Sequence, residues 1–218
     1  MSKLSYSNPP SEGAPWRVGI LLFNEVEVLD FCGPFEVFAA TRFLDPNGER
    51  TDKIVFKVKL ISQTGNMVEC RGGLKVMPDF SFTSSPDFDI VVVPGGWGTR
   101  KEVDNSILVK WLKSQWEKVQ LMTSVCTGSF LLAKTGILDG FEATTHWASL
   151  KRLQRAFPTV KVITNKRFVI TGHGRIVSSA GISSGIDMAL YLVSKLVGQE
   201  IALNTANHME YRGDFVDV

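Results

Sequence analysis

Three short apolar runs set the rhythm of the chain: 16–23 (WRVGILLF), 88–93 (FDIVVV) and 119–125 (VQLMTSV). Each is strand-sized, and each is nearly continuous rather than alternating, as expected of strands in a parallel sheet covered on both faces. Residues 53–61 alternate apolar and polar positions and predict a further strand, and 143–145, 160–164, 168–171 and 176–179 predict shorter ones. Between them the period changes. Ile107, Leu108, Trp111, Leu112 and Trp116 fall on one face of a helix spanning 105–118. Helices are also expected over 35–43, 180–196 and 199–211, and from His146 to Phe157, where Pro158 ends the element. The Gly72-Gly73 pair marks a hairpin within 67–77, and Gly172-His173-Gly174 marks a turn. Strands alternating with helices predict an α/β fold: a single domain over 16–218, with a mostly parallel sheet and helices on both faces. Residues 1–15 are polar, contain three prolines, and read as a flexible lead-in.

One junction in this pattern carries chemistry. The run 119–125 stops at Cys126, and Thr127, Gly128 and Ser129 lead into the helical pattern of Phe130, Leu131, Leu132 and Ala133. A strand turning sharply into a helix at one nucleophilic residue is a nucleophile elbow. It lifts the side chain to the C-terminal edge of the sheet, where open α/β sheets bind ligands. A sulfur at a helix N-terminus is expected to favour thiolate over thiol. The competing reading is a buried core cysteine.

Composition changes this picture little. The chain is 44% hydrophobic and 21% charged with a formal net charge of +2, ordinary for a globular domain. Lys151, Arg152 and Arg155 are the densest basic group, read as a solvated helix face and not a nucleic-acid surface. The odd count of three cysteines, with no CxxC pair, argues against a disulfide framework or a zinc site. Free thiols suit a cytoplasmic setting. The N-terminus lacks the apolar core of a signal peptide, and no stretch is long enough to span a membrane.

Asp30 follows the first strand and therefore reaches the same sheet edge as Cys126. A buried carboxyl beside a second anion keeps its proton, and could donate it to sulfur and later to a substrate. Asp30 could equally cap a helix that Gly33 and Pro34 enter. His146 could serve as the base of a Cys–His pair, or make structural hydrogen bonds only. The Pro94-Gly95-Gly96 turn could present free N–H groups to a ligand, or be a simple tight turn. Cys70 reads as a strand residue and Cys32 as packing. No phosphate-binding glycine loop, dinucleotide fingerprint or HExxH pair occurs.

Four blocks carry a family resemblance: GILLFNEVEVLDFCGPFEVF (19–38), DIVVVPGG (89–96), SVCTGSFLLAKTGILDGFEATTHW (124–147) and SSAGISSGIDMAL (178–190). The chain resembles the PfpI-like superfamily, which implies the flavodoxin-like, class I glutamine-amidotransferase-like fold. Within it the Leu29-Asp30…Gly33-Pro34 context is most similar to isocyanide hydratases. That resemblance implies hydration of an isocyanide to an N-substituted formamide, without a cofactor or metal. Cys126 would be the nucleophile and Asp30 the acid/base, with Gly95, Gly96 and Thr127 binding substrate or developing charge. Trp97 and Trp147 are candidate pocket walls. It also implies a homodimer acting on a small molecule. The alternatives are a glyoxalase or deglycase acting on reactive carbonyls, and a non-catalytic redox sensor or ligand-binding protein. The amidotransferase-like domains of AraC-type regulators share the CTG and ATTHW segments of the third block; with the chain ending at Val218, shortly after the last core helix, their further helix-turn-helix domain is not expected.

Overall fold

The structure is a computed structural model that describes residues 14–213 and 215. Most of the expected lead-in lies outside the described residues. The core is a seven-stranded sheet of β1 (Trp16–Leu22), β2 (Phe56–Ser62), β3 (Phe80–Ser81), β4 (Ile90–Val93), β5 (Leu121–Val125), β6 (Phe168–Thr171) and β7 (Ile176–Ser179). Its order is β6-β7-β5-β4-β1-β2-β3. All neighbours are parallel except β6 and β7. The continuous apolar runs have the expected cause: every residue of β4, β5 and β7 is buried. Fully burying one Val or Ile side chain contributes about 1.5–3 kcal/mol.

The helices are α1 (Val28–Ala40), α2 (Thr99–Glu102), α3 (Ser106–Trp116), α4 (Gly128–Thr135), α5 (Leu150–Ala156), α6 (Ser184–Leu196) and α7 (Gln199–His208). From β1 the chain crosses through α1 to β2 in one direction along the sheet; from β4 it crosses through α3 to β5 in the other. Right-handed crossovers in opposite directions place their helices on opposite faces. Accordingly α1, α6 and α7 contact one another, while α3 packs on α4. The reversal leaves a crevice beyond the C-terminal ends of β1 and β4, the topological switch point where open α/β sheets take ligands.

Several boundaries differ from the sequence reading. The first helix begins at Val28, not Phe35, and ends at Ala40; residues 42–44 instead pair as a strand with 50–54. Tertiary contacts fix the early start: Val26 bridges Gly96, and Glu27 N–H donates to the Gly95 carbonyl at 3.0 Å. Pro34 therefore lies inside the helix and not at its entrance. The strand expected over 53–61 is divided between that 42–44/50–54 pair and β2. The helix expected from Ala180 starts at Ser184. Cys70 lies just outside the short strand 68–69 of the 67–77 hairpin.

Candidate active site

The elbow forms where the sequence places it. Cys126 follows β5 directly with φ 55°, a left-handed conformation that only glycine adopts without penalty. Holding a non-glycine residue there costs about 1–3 kcal/mol and requires surroundings that over-determine it. Those are present. Cys126 N–H donates to the Ser179 carbonyl at 3.1 Å. The Cys126 carbonyl accepts from Thr145 Oγ1 at 2.8 Å and from Ser129 Oγ at 3.2 Å. Gly181 lies against the other side: a Cβ there would come within 2.6 Å of Cys126 Cβ and 3.1 Å of Sγ.

Asp30 is in the first turn of α1 and fully buried. It does not cap the helix; Glu27 occupies that position, without a side-chain cap. Instead Asp30 Oδ2 accepts from Gly95 N–H at 3.0 Å, and among the described residues Oδ1 has no hydrogen-bond partner. Burial pushes the carboxyl up to about 7, with Glu27 adding repulsion; the Gly95 N–H and the Cys126 side chain pull the other way. The raised direction is the one expected from burial.

The expectation of a resting thiolate is corrected. Burial pushes the Cys126 thiol well above its ordinary value, and the neighbouring Asp30 charge pushes it further. Thr127 N–H at the start of α4 acts in the opposite direction and is outweighed. A helix end supplies about 0.3–1 kcal/mol, whereas burying an ion costs several. Near pH 7 the Cys126 thiol therefore keeps its proton and the Asp30 carboxyl is about half-protonated, and the pair titrates as a unit.

The glycine turn is corrected too. Neither expected free N–H is free: Gly95 N–H is held by Asp30, and Gly96 N–H donates to Thr127 Oγ1 at 3.0 Å. The Thr127 hydroxyl in turn donates to the Gly96 carbonyl at 3.2 Å. These contacts lock the β4 turn to the elbow. Gly95 must be glycine for that, since a Cβ would lie 2.5 Å from Thr127 N and 2.9 Å from Asp30 Oδ2.

A cavity of about 360 Å³ opens over Cys126, and Glu27, Gly96, Trp97, Thr127 and His146 are among its walls. Trp97 stands at its rim, 56% exposed. Trp147, also expected as a wall, is 78% exposed and does not line the cavity. His146 Nδ1 accepts from Ala148 N–H at 3.3 Å, a helix-start contact, and the residue also lines the cavity. Cys32 packs half-buried against the core and Cys70 is fully buried, both away from the cavity lining.

The sequence reading missed Arg100 and Arg152, which also line this cavity. The sequence alone groups Arg152 with Lys151 and Arg155 on a solvated face. Lys151 and Arg155 are exposed, but Arg152 is half-buried with its guanidinium 4.4 Å from the Phe130 ring. Residues three and four apart share a helix face, so Arg155 neighbours both Lys151 and Arg152 and spacing does not separate them; the contact with Phe130 does. Among the described residues no group of three or more His, Cys, Asp or Glu side chains is placed to hold a metal ion, and no helix is long and apolar enough to cross a membrane.

An elbow cysteine beside a carboxyl at the switch point of a mostly parallel sheet defines a known class. The DJ-1/PfpI family model matches residues 16–195, and the chain belongs to that family. The chain is 33% identical to an isonitrile hydratase of Pseudomonas putida over 195 residues, covering 89% of this chain and 78% of that one. It is 29% identical to the HTH-type transcriptional regulator GbdR of Pseudomonas aeruginosa over 89% of its own length, and spans 50% of the regulator. Among solved structures, a THiJ/PfpI family protein from Pseudomonas syringae superimposes with a TM-score of 0.79 at 25% identity, covering 92% of this chain and 77% of that one.

Proposed function

We propose that this protein hydrates isocyanides to N-substituted formamides, with Cys126 as nucleophile and Asp30 as the group that moves protons. One observation carries the reading: a fully buried carboxyl, raised to about 7, beside an elbow thiol on a cavity. One Asp30 oxygen is pinned by Gly95 N–H and the other has no partner among the described residues. That is a carboxyl fixed in place and poised to gain or lose a proton near neutral pH. The similarity to an isonitrile hydratase supports the choice of substrate class.

The electrophile is the terminal carbon of R–N≡C. Asp30 carboxylate takes the thiol proton as Cys126 sulfur attacks that carbon. The new carboxylic acid returns the proton to the same carbon, giving a thioimidate, R–N=CH–S–Cys126. Water then adds to that carbon. Asp30 carboxylate accepts a water proton and passes it to nitrogen. Collapse of the tetrahedral adduct breaks the C–S bond, releases R–NH–CHO, and returns the hydroxyl proton through Asp30 to sulfur. The net reaction is addition of one water, with no electrons exchanged and no cofactor needed. Thr127 N–H, directed at the sulfur, stabilises charge there during attack and departure.

The test is formamide formation from an aryl isocyanide, followed by chromatography beside methylglyoxal loss. Wild-type protein is expected to make the formamide, and Cys126→Ala to make none. Methylglyoxal loss without formamide would favour the carbonyl-directed alternative. No turnover of either substrate, with stoichiometric oxidation of Cys126 by low peroxide, would favour a sensor.

A further inference from the structure

Two guanidinium groups in the Cys126 cavity have no role in the reaction above. Arg100 and Arg152 line that cavity and also an adjoining one of about 370 Å³ walled by Phe130 and Phe157. The two spaces therefore meet across this pair of arginines.

Neither arginine is in an ion pair among the described residues. The acids nearby do not change this. Asp104, in the adjoining cavity, is bound to Lys134 Nζ at 3.0 Å. Glu27, in the Cys126 cavity, forms no ion pair with either. The carbon and ring surfaces of the arginines are engaged instead. Arg100 stacks over Trp97 at 4.1 Å and Arg152 over Phe130 at 4.4 Å. Their N–H edges are underused: Arg152 Nη2 reaches Ser149 Oγ only at 3.4 Å, and Arg152 Nε is buried without a partner among the described residues. A buried donor left unsatisfied costs about 1–3 kcal/mol. Burial and the Arg100 charge both disfavour the Arg152 cation, and the Cys126 side chain lies close enough to act on it in the opposite sense. Two like charges held by aromatic rings, with open N–H forks, form a receptor for an oxyanion.

We propose that Arg100 and Arg152 form a carboxylate-binding subsite, so that the preferred substrate is an isocyanide bearing a carboxylate distal to its reacting carbon. The substrate class rests on the isocyanide reading; the anion subsite itself does not. A fork-to-carboxylate contact exceeds the one a neutral amide or ester can make, because the charged hydrogen bonds are roughly twice as strong.

Two measurements separate these layers. The first is titration calorimetry of benzoate and of the neutral isostere benzamide on the full chain and on Arg100→Met, Arg152→Met and Arg152→Lys. Benzoate is expected to bind at least tenfold more tightly than benzamide. That ratio should fall toward one in either Met variant, persist in part in Arg152→Lys, and shrink with added salt. Equal affinities in wild type, or a ratio unmoved by Arg100→Met and Arg152→Met, overturn the subsite. Arg100 is exposed, so its variant decides the matter even if loss of the Phe130 contact unfolds Arg152→Met. The second is kcat/KM for 4-isocyanobenzoate against its methyl ester. A tenfold preference for the acid is expected. Equal turnover of both overturns the substrate assignment while the hydration reading stands. Turnover of neither, with the benzoate ratio intact, overturns the hydration reading and leaves the anion subsite in place.

Discussion

Asp30→Asn should make the fold more stable at neutral pH while it removes the proposed proton carrier. The wild-type carboxyl is fully buried and pushed up to about 7, chiefly by burial. An acid raised in the folded state binds its proton more tightly there than in the unfolded chain. The stability it supports is therefore complete below the unfolded value near 4, and is lost as pH rises through about 7. The gap of about 3 pH units corresponds to about 4 kcal/mol at most, shared with Cys126 because the two titrate together. Asparagine keeps an oxygen to accept from Gly95 N–H and carries no charge to bury. Urea unfolding of both proteins at several pH values between 4 and 8 gives the difference directly, since all other groups cancel. The asparagine variant should gain on wild type between pH 4 and about 7 and then level off, ahead by about 2–4 kcal/mol at pH 8. A difference that is flat with pH, or a variant less stable than wild type at pH 8, would refute the account of Asp30 as a strained buried acid.

Other consequences are checked as simply. Thr127→Val leaves Gly96 N–H without its 3.0 Å acceptor; the expected loss is about 1–3 kcal/mol in urea unfolding. Gly181→Ala drives a Cβ to 2.6 Å from that of Cys126 and should cost about 1–3 kcal/mol from overpacking, with loss of turnover; an unchanged melting temperature would contradict the elbow's tight packing. Alkylation of Cys126 by iodoacetamide, mapped by peptide mass, should be slow at pH 7 and still rising at pH 9, because burial raises the thiol. It should accelerate in Asp30→Asn, which removes the carboxylate that raises the thiol further. A rate plateau below pH 7 would restore the resting thiolate.

The centre of the sheet was legible in the sequence because β1, β4 and β5 are buried on both faces and write themselves as nearly unbroken apolar runs; β3, two half-buried residues at the edge, was not. The elbow was legible because small residues after a strand leave few alternatives to a sharp turn. The start of α1 was not: the Val26–Gly96 bridge and the Glu27–Gly95 hydrogen bond fix it, and no local rule contains a contact between residues seventy apart. The same contacts explain why Asp30 serves Gly95 instead of a cap. The protonation of Cys126 was misread because a helix terminus is visible in a sequence and the depth of burial is not. Arg152 was hidden in a basic cluster because helical spacing places it beside Arg155, and only its tertiary contact with Phe130 sets it apart. Trp147 looked like a wall beside His146, yet the short 3₁₀ turn over 147–149 points it to solvent.

The central claim is that Cys126 becomes bonded to the whole substrate during turnover. Acid-quenched protein, sampled within the first turnovers of an aryl isocyanide and weighed intact, tests this directly. The expected species is heavier than the free chain by the full mass of the isocyanide, with the addition on the Cys126 peptide, and it is absent from Cys126→Ala. Formamide production by Cys126→Ala at the wild-type rate, with no adduct on the wild-type protein at any time, would contradict the claim.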